Sequence, residues 1–440
     1  MNKIASMGFQ GLVVSIAALA SDASAKTIRL DSTQSYKKAG TVAATPGDTI
    51  CITAGRRVNQ YLQGITGTAE RPIVITNCPE GRVNIGKDFR YGLWLDSVAH
   101  VRVTGGLDPA WPYGIHIDGT ASGSGLQVTG NSHHVEIDHI EISGVHFAGI
   151  MVKQDYGGTP PEPWPVFTGL HIHHNHIHHT GGEGMYLGET KSPGQFFREV
   201  SIHHNLVLHT GWDLMQVANM DGVDIAHNVM VDGGVLREPV QQNGFQIGDN
   251  THNLRFHHNV VMEAGANSAI VMGSGNIVLD SNWFSGARGG QALFIDNRTF
   301  VDTGTPIVVR DNFWKSDSVT WMWSVYNEHN AVLFEGNRMS PDTTLIRYAS
   351  GAGPANVTFR NNAFEGLEPV VFADSANGDY RLASGSPHST WNLGFGTAGA
   401  VSVKPGSLFR KSTDGPTARF RYSATGLPVD LPHPQGRRTP

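Results

Sequence analysis

An asparagine recurs every 23 to 31 residues between positions 175 and 362 of this 440-residue chain. Each one follows a strand-like run, and the set is Asn175, Asn205, Asn228, Asn259, Asn282, Asn312, Asn337 and Asn362. A repeat of this length predicts a solenoid, because one unit is too short to bury a core alone. The shortest intervals fit a coil with three sides, and the longer ones indicate inserted loops. We expect these asparagines to adopt left-handed backbone at a corner and to hydrogen-bond one another.

The unit at residues 171–189, HIHHNHIHHTGGEGMYLGE, shows one coil of this solenoid. Its pattern predicts strands at 170–173, 176–178 and 184–187, with a polar corner and a Gly-rich corner between them. A histidine precedes several of the repeated asparagines, at His174, His204, His227 and His258. We expect these rings to stack, because neighbours in a column point the same way. Metal ligands must instead converge on one point, so the pattern favours a structural role.

The two ends of the chain differ from the repeats. Residues 1–25 carry Lys3, an apolar run at 7–20 and small residues at 23–25, which together are typical of a bacterial secretory signal peptide. The alternative is a first helix of the fold. The run is too short to span a membrane, so we expect a secreted or periplasmic protein with no membrane span. The solenoid is predicted over 26–400, and aperiodic residues 401–440 are predicted to form a cap extension or a tail.

Composition narrows the possible partners. The net charge is −6 and only 16% of the residues are charged, so nothing indicates a nucleic-acid partner. The two cysteines, Cys51 and Cys78, could pair in an oxidising compartment.

Two segments resemble a known class of protein. The run TPGDTICIT near residue 49, followed by GTAERPIVIT, is similar to the first coils of bacterial right-handed parallel β-helix proteins. The run NGDYRLASGSPH from residue 377 resembles the closing segment of many secreted members. The resemblance implies an all-β, single-stranded right-handed parallel β-helix with three strands per coil. Such proteins are often lyases of uronate-containing polymers, so it also implies a polysaccharide as partner.

Alternation along the third strand of each coil predicts which side chains face out. The inward apolar pairs are expected to be Ile150/Val152, Met185/Leu187, Met215/Val217, Phe245/Ile247 and Ile270/Met272. The outward residues are then Met151, Lys153, Tyr186, Gln216, Gln246 and Val271. We predict that they line an exposed, sugar-sized trough.

Carboxylates stand beside this predicted trough. Glu183 and Asp213 precede two neighbouring third strands and should lie roughly 5 Å apart if the coils are in register. Like charges so close would raise one pKa or share a cation. The alternative is a pair of solvated side chains that point apart.

We interpret the chain as a carbohydrate-active enzyme, with a polysaccharide lyase slightly favoured. Lys153 or Tyr186 would be the base and His146 or His209 the proton donor. The only cofactor considered is Ca²⁺, held by Glu183 and Asp213 with Glu189 or Asp249. Substrate contacts are predicted for Gln154, Gln216, Gln246, Trp164 and Trp212.

Two alternatives stay open. A glycoside hydrolase would use Glu183 as acid and Asp213 as nucleophile or base. A carbohydrate-binding surface protein would cleave nothing.

Overall fold

Three parallel sheets form the walls of a solenoid, and each coil between the first and the last described coils adds one strand to each sheet. The computed structural model describes residues 24–37, 42–87, 89–153, 165–188, 196–273, 275–289, 291–295, 306–316, 320–325, 331–340, 343–348, 357–364, 371–374 and 379–384. Most of the predicted signal peptide and all of the predicted tail lie outside these residues. The prediction of a parallel β-helix with three strands per coil is confirmed.

The strands follow one another in the same order in every sheet. The first sheet contains Thr27–Leu30, Thr49–Ile52, Ile73–Asn77, Ala99–Thr104, His133–Asp138, Val166–His173, Phe196–His203, Met220–Ala226, His252–His257, Ile277–Asp280, Ile307–Arg310, Val332–Glu335 and Val357–Arg360. The second contains Gly55–Arg57, Val83–Ile85, Ile115–Asp118, Ile140–Ser143, His176–Thr180, Leu206–Thr210, Val229–Val231, Val260–Met262, Trp283–Ser285, Phe313–Lys315, Arg338–Ser340 and Ala363–Phe364. The third contains Tyr36–Lys37, Gln60–Gln63, Leu93–Asp96, Leu126–Thr129, Ile150–Val152, Met185–Gly188, Met215–Ala218, Phe245–Ile247, Asn267–Val271, Gln291–Ile295, Thr320–Val325 and Thr343–Tyr348. Phe372–Asp374 and Asp379–Leu382 form a separate antiparallel pair.

The register between neighbouring coils places side chains of the same type in columns. Ile137, Ile172, Ile202 and Ile225 lie in one column of the first sheet, and all four are fully buried. Inward columns of this kind from all three sheets merge into one apolar core that runs from Leu30 to Val357. Burying aliphatic side chains on the inner face of every strand is the main stabilising term of such a solenoid.

The repeated asparagines form a continuous ladder that is buried as far as Asn337. Each Nδ2 donates to the Oδ1 of the asparagine one coil further on, at 2.9 to 3.1 Å, from Asn175 through to Asn362. The expected hydrogen bonding is confirmed, but the expected backbone is wrong. The left-handed residue is the one before the asparagine, such as His174 at φ 55° and His204 at φ 54°. This leaves the asparagine free to turn its amide into the corner.

The histidines before the ladder stack as expected. The rings of His139, His174, His204, His227 and His258 follow one another at centroid distances of 5.0 to 5.2 Å. Burial and neighbouring imidazoles lower the pKa of His174 to about 3, so His174 is uncharged near neutral pH.

Cys51 and Cys78 form a disulfide between two neighbouring coils, with their Cα atoms 4.9 Å apart. Across the described ranges, no helix has the length and apolarity to cross a membrane.

Replacing Asn228 by Ala should lower the free energy of unfolding by about 2–4 kcal/mol. Asn228 Oδ1 accepts from the backbone N–H and Nδ2 of Asn205, and its own Nδ2 donates to Asn259 and to the Ile202 carbonyl. The substitution therefore leaves several buried polar atoms without partners. Chemical denaturation would measure the loss, with Asn131→Ala at an exposed turn as the control. Equal unfolding curves for both variants would contradict the role of the ladder.

Candidate active site

The outward side chains of the third sheet form one straight column. Met151, Tyr186, Gln216 and Gln246 pair in register from one coil to the next. Their neighbours along each strand point into the apolar core, which fixes the direction of the column. The structure therefore brings together the Tyr186, Gln216 and Gln246 side chains that the alternation pattern predicted.

In the next coil, at residues 269–272, the alternation differs from the predicted one. Gln246 pairs with Ile270, while Ala269 and Val271 are fully buried in the core. The prediction that Ile270 and Met272 face inward and Val271 outward is wrong by one residue. Residues 269–272 are all apolar, so alternation alone cannot set their register.

Lys153 follows the strand Ile150–Val152 and reaches the next coil. Its Nζ donates to the Tyr186 hydroxyl at 2.9 Å and lies 4.2 Å from the centre of the Tyr186 ring. A lysine ammonium stabilises negative charge on an adjacent phenol oxygen and is attracted to the ring face. The two predicted base candidates are therefore one hydrogen-bonded pair.

The expected open trough is not what the structure shows. Lys153, Tyr186, Gln216 and Gln246 expose only 4%, 2%, 3% and 7% of their surface. Tyr186 belongs to an apolar cluster with Phe147, Ala148 and Trp212. Alternation shows which way a side chain points, but it does not show what covers it. The expectation of exposure was therefore wrong.

Glu183 is fully buried, and both of its carboxylate oxygens are without a hydrogen-bond partner among the described residues. Burial raises its pKa to about 7, although the nearby charge of Lys153 acts in the opposite direction. Because Glu183 is fully buried, the alternative interpretation of a solvated carboxylate at the corner is wrong. Glu183 is thus close to half-protonated at neutral pH.

Asp213 lies in the same column one coil further on, since the backbone N–H of Gly184 donates to the Asp213 carbonyl. It is fully buried, and burial together with the charge of Glu183 raises its pKa well above the usual value. Its Oδ1 accepts from the backbone N–H of Asn243 at 2.6 Å and from Asn243 Nδ2 at 3.1 Å. Its Oδ2 has no hydrogen-bond partner within the described part of the chain.

Asn243 stands in the same position before its strand as Glu183 and Asp213, but the sequence reasoning gave it no role in the site. Besides Asp213, it contacts Gln246 Oε1 through Nδ2 at 3.3 Å and accepts from Asn267 at 2.6 Å. The signal was its position, two residues before an inward strand residue, as for Glu183 and Asp213. It links the carboxyl column to the amide column.

The two predicted proton donors lie in different surroundings. His146 occupies the corner beside Phe147, where burial lowers its pKa. His209 lies at the end of a second-sheet strand, and its Nδ1 pairs with Asp232, which also binds Arg288. His209 is therefore paired with a carboxylate of the next coil.

The remaining predicted residues divide into two groups. Gln154, Trp164 and Glu189 lie outside the described residues. Trp212 is buried and meets Phe147 edge-on, with ring centroids 5.5 Å apart, which favours packing over an open sugar platform. Asp249 is half-buried at the end of the neighbouring coil.

The described residues around Glu183 and Asp213 offer few oxygen ligands for Ca²⁺. Glu183 and Asp213 offer three buried carboxylate oxygens without hydrogen-bond partners, whereas Ca²⁺ takes six to eight oxygens. The two carboxyl groups fit part of such a site, and Ca²⁺ stays a prediction.

Comparison with known proteins identifies the architecture. The family model described as "Right handed beta helix region" matches residues 124–303. The chain folds as a right-handed parallel β-helix. A search of curated proteins finds no similar sequence.

Several solved structures are similar to this parallel β-helix. A GH136 lacto-N-biosidase from Eubacterium ramulus is 10% identical over 78% of this chain and 68% of its own, with a TM-score of 0.51. An alginate lyase from Paenibacillus sp. str. FPU-7 is 16% identical over 74% of this chain and 99% of its own, with a TM-score of 0.46. The pectate lyase Pel9A is 12% identical over 82% of this chain and 90% of its own, with a TM-score of 0.48. At these identities the likeness shows the fold alone.

The raised pKa of Glu183 predicts a pH-dependent loss of stability. The folded state holds this proton more tightly than the unfolded state, so its contribution is complete below the unfolded pKa of 4.5 and is lost as pH rises through about 7. The loss is on the order of 3 kcal/mol. Glu183→Gln carries no titrating proton, so the unfolding free energy of wild type minus that of the variant should fall between pH 5 and pH 8. Urea unfolding at both pH values would test this, and a constant difference would contradict the assignment.

Proposed function

We propose that this protein is a polysaccharide lyase that cleaves a uronate-containing polymer at the outward column of the third sheet. The observation that carries the proposal is the hydrogen bond from Lys153 Nζ to the Tyr186 hydroxyl on that column. β-Elimination needs a base beside a cation, because the proton to be removed lies next to the sugar carboxylate. A lysine–tyrosine pair supplies both.

In the proposed reaction, Tyr186 as phenolate removes the proton from the carbon that bears the carboxylate. The electron pair forms a carbon–carbon double bond, and the glycosidic carbon–oxygen bond breaks. The Lys153 ammonium stabilises first the phenolate and then the charge that develops on the uronate. The leaving oxygen takes a proton, for which His146 stays the predicted donor because it lies beside Phe147, whose ring packs edge-on against Tyr186.

The buried carboxyl groups support an anionic substrate. Burial favours the neutral form of Glu183 and Asp213, so the pair repels a uronate less than two fully ionised carboxylates would. Protonated carboxyl groups also donate hydrogen bonds to carboxylates. Gln216 and Gln246 on the adjoining column offer amide groups for sugar hydroxyls.

A glycoside hydrolase is the second candidate, and one observation favours it. A pKa of about 7 for Glu183 suits the general acid of such an enzyme. The same mechanism requires the partner carboxylate to be ionised, yet burial and Glu183 raise the pKa of Asp213. That conflict is the reason the lyase is preferred.

Secretion belongs to the same proposal. The predicted signal peptide and the Cys51–Cys78 disulfide both suit a protein that works outside the cytoplasm.

Tyr186→Phe and Lys153→Met should each lower kcat by at least about 100-fold, because each removes a group that acts on the transferred proton. The assay would incubate the variants with uronate polymers and follow both ultraviolet absorbance from unsaturated products and new reducing ends. Tyr61→Phe is the matched control. Tyr61 is a buried tyrosine that lies further along the same outward column and donates to Asp96.

The products formed and the loss of activity in Glu183→Gln distinguish the lyase from the hydrolase. A lyase predicts unsaturated products and a smaller loss in Glu183→Gln, about tenfold, because glutamine keeps the neutral charge of the protonated acid. Reducing ends without ultraviolet absorbance, together with near-complete loss in Glu183→Gln, would replace the lyase by the hydrolase. If no polymer is cleaved but one is bound, the carbohydrate-binding alternative holds.

A further inference from the structure

A second cluster of polar side chains lies on the outward face of the second sheet. Glu141 belongs to the strand Ile140–Ser143, and His176 and His178 belong to the next strand, His176–Thr180. All three are buried, and none has a part in the proposed cleavage. Glu141 pairs in register with His176, while His178 lies two residues further along the same face.

The three side chains converge. One ligand atom from each lies within 4.8 Å of the others, and Glu141 Oε1 is 3.3 Å from His178 Nε2. Metal–ligand bonds of about 2 Å in a tetrahedral site place ligand atoms about 3.3 Å apart. The rings of His176 and His178 stack at a centroid distance of 4.4 Å, as those of His174 and His204 do at 5.1 Å, but the first pair has the Glu141 carboxylate within reach of its nitrogens. The arrangement of Glu141, His176 and His178 is therefore already close to that of a metal site.

Neighbouring residues complete the arrangement. His116 Nε2 from the preceding coil lies 3.9 Å from Glu141 Oε1 and 2.9 Å from the Ser143 hydroxyl. Arg82 binds the other oxygen of the Glu141 carboxylate, Oε2. This ion pair orients the carboxylate so that Oε1 points towards the imidazoles. A partner that holds the second oxygen of a ligating carboxylate is a common feature of metal sites.

The imidazoles of His116 and His176 are in the neutral state that binds metal. Burial lowers the pKa of His116 to about 4 and that of His176 well below its usual value, so both imidazoles are neutral at pH 7. Burial alone would raise the pKa of Glu141, but its hydrogen bond to His178 and the nearby basic groups lower it overall. Neutral imidazoles and an ionised carboxylate bind a metal ion without first losing protons.

Tyr113 is an independent sign that a group belongs here. It exposes 4% of its surface, and its hydroxyl has no hydrogen-bond partner among the residues the structure describes. Its ring centroid lies 5.8 Å from that of His176. A buried hydroxyl without a partner loses free energy unless a ligand or water meets it. A water molecule on a bound ion would provide that partner.

We propose that Glu141, His176 and His178, with His116 beside them, bind a divalent transition-metal ion such as Zn²⁺. Two imidazoles and one carboxylate are a ligand set that suits zinc and leaves a fourth position for His116 or water. The ion ties neighbouring coils together through the side of the solenoid. It lies on the second sheet, apart from the column of Lys153 and Tyr186 on the third.

The test is a Zn²⁺ titration of the full-length, chelator-treated protein, followed by calorimetry and by thermal unfolding. Wild type should bind one equivalent tightly and gain melting temperature as Zn²⁺ rises. Glu141→Gln and His178→Gln should each weaken this site by at least about tenfold and lose the gain in melting temperature. His204→Gln, in the stacked column without a carboxylate, is the matched control and should bind as wild type does.

Anomalous scattering from wild-type crystals soaked in Zn²⁺ keeps the proposal testable if a variant fails to fold. A peak bonded to Glu141 Oε1 and His178 supports it. Peaks only at other clusters, such as His257, His258 and Asp280, would overturn it, and so would the absence of any tight site in the titration.

Discussion

Parallel hydrogen bonding between successive coils is the constraint on which the whole structure depends. Each coil repeats the path of the one before, so a residue stands beside its equivalent at a spacing of about 4.8 Å. Columns of like residues follow directly, whether aliphatic in the core, asparagine at one corner or histidine beside it. The same constraint places unlike residues together where the repeat varies. Lys153 reaches Tyr186, and Glu183 adjoins Asp213, because they occupy neighbouring coils.

Desolvation gives the candidate site its chemistry. Glu183 and Asp213 are both fully buried, and burial is the main reason that both pKa values rise. Carboxyl groups that are protonated in part at pH 7 repel an anion less than fully ionised carboxylates do. The buried group at Glu141 shows the opposite result. There, hydrogen bonds and basic neighbours outweigh burial and keep the carboxylate ionised.

The sequence predicts the features that follow from the repeat spacing and from strand alternation. It does not predict which outward side chains are buried by other segments of the chain. The asparagine intervals and the alternation at Met185/Leu187 and Met215/Val217 gave the coil and the outward column, because each depends on local chain geometry. The prediction failed at Ile270, where consecutive apolar residues leave the register open, and at His174, which takes the left-handed backbone expected of Asn175. The burial of Lys153 depends on contacts from other parts of the chain, which spacing does not reveal. The roles of the site residues stay proposals.

The most direct test of the account is a crystal structure of the Tyr186→Phe variant with a uronate oligosaccharide bound. The account predicts that the sugar lies along the third sheet, with its carboxylate within hydrogen-bonding distance of Lys153 Nζ and its hydroxyls against Gln216 and Gln246. An oligosaccharide bound on the first or second sheet, with no contact to Lys153, would contradict it.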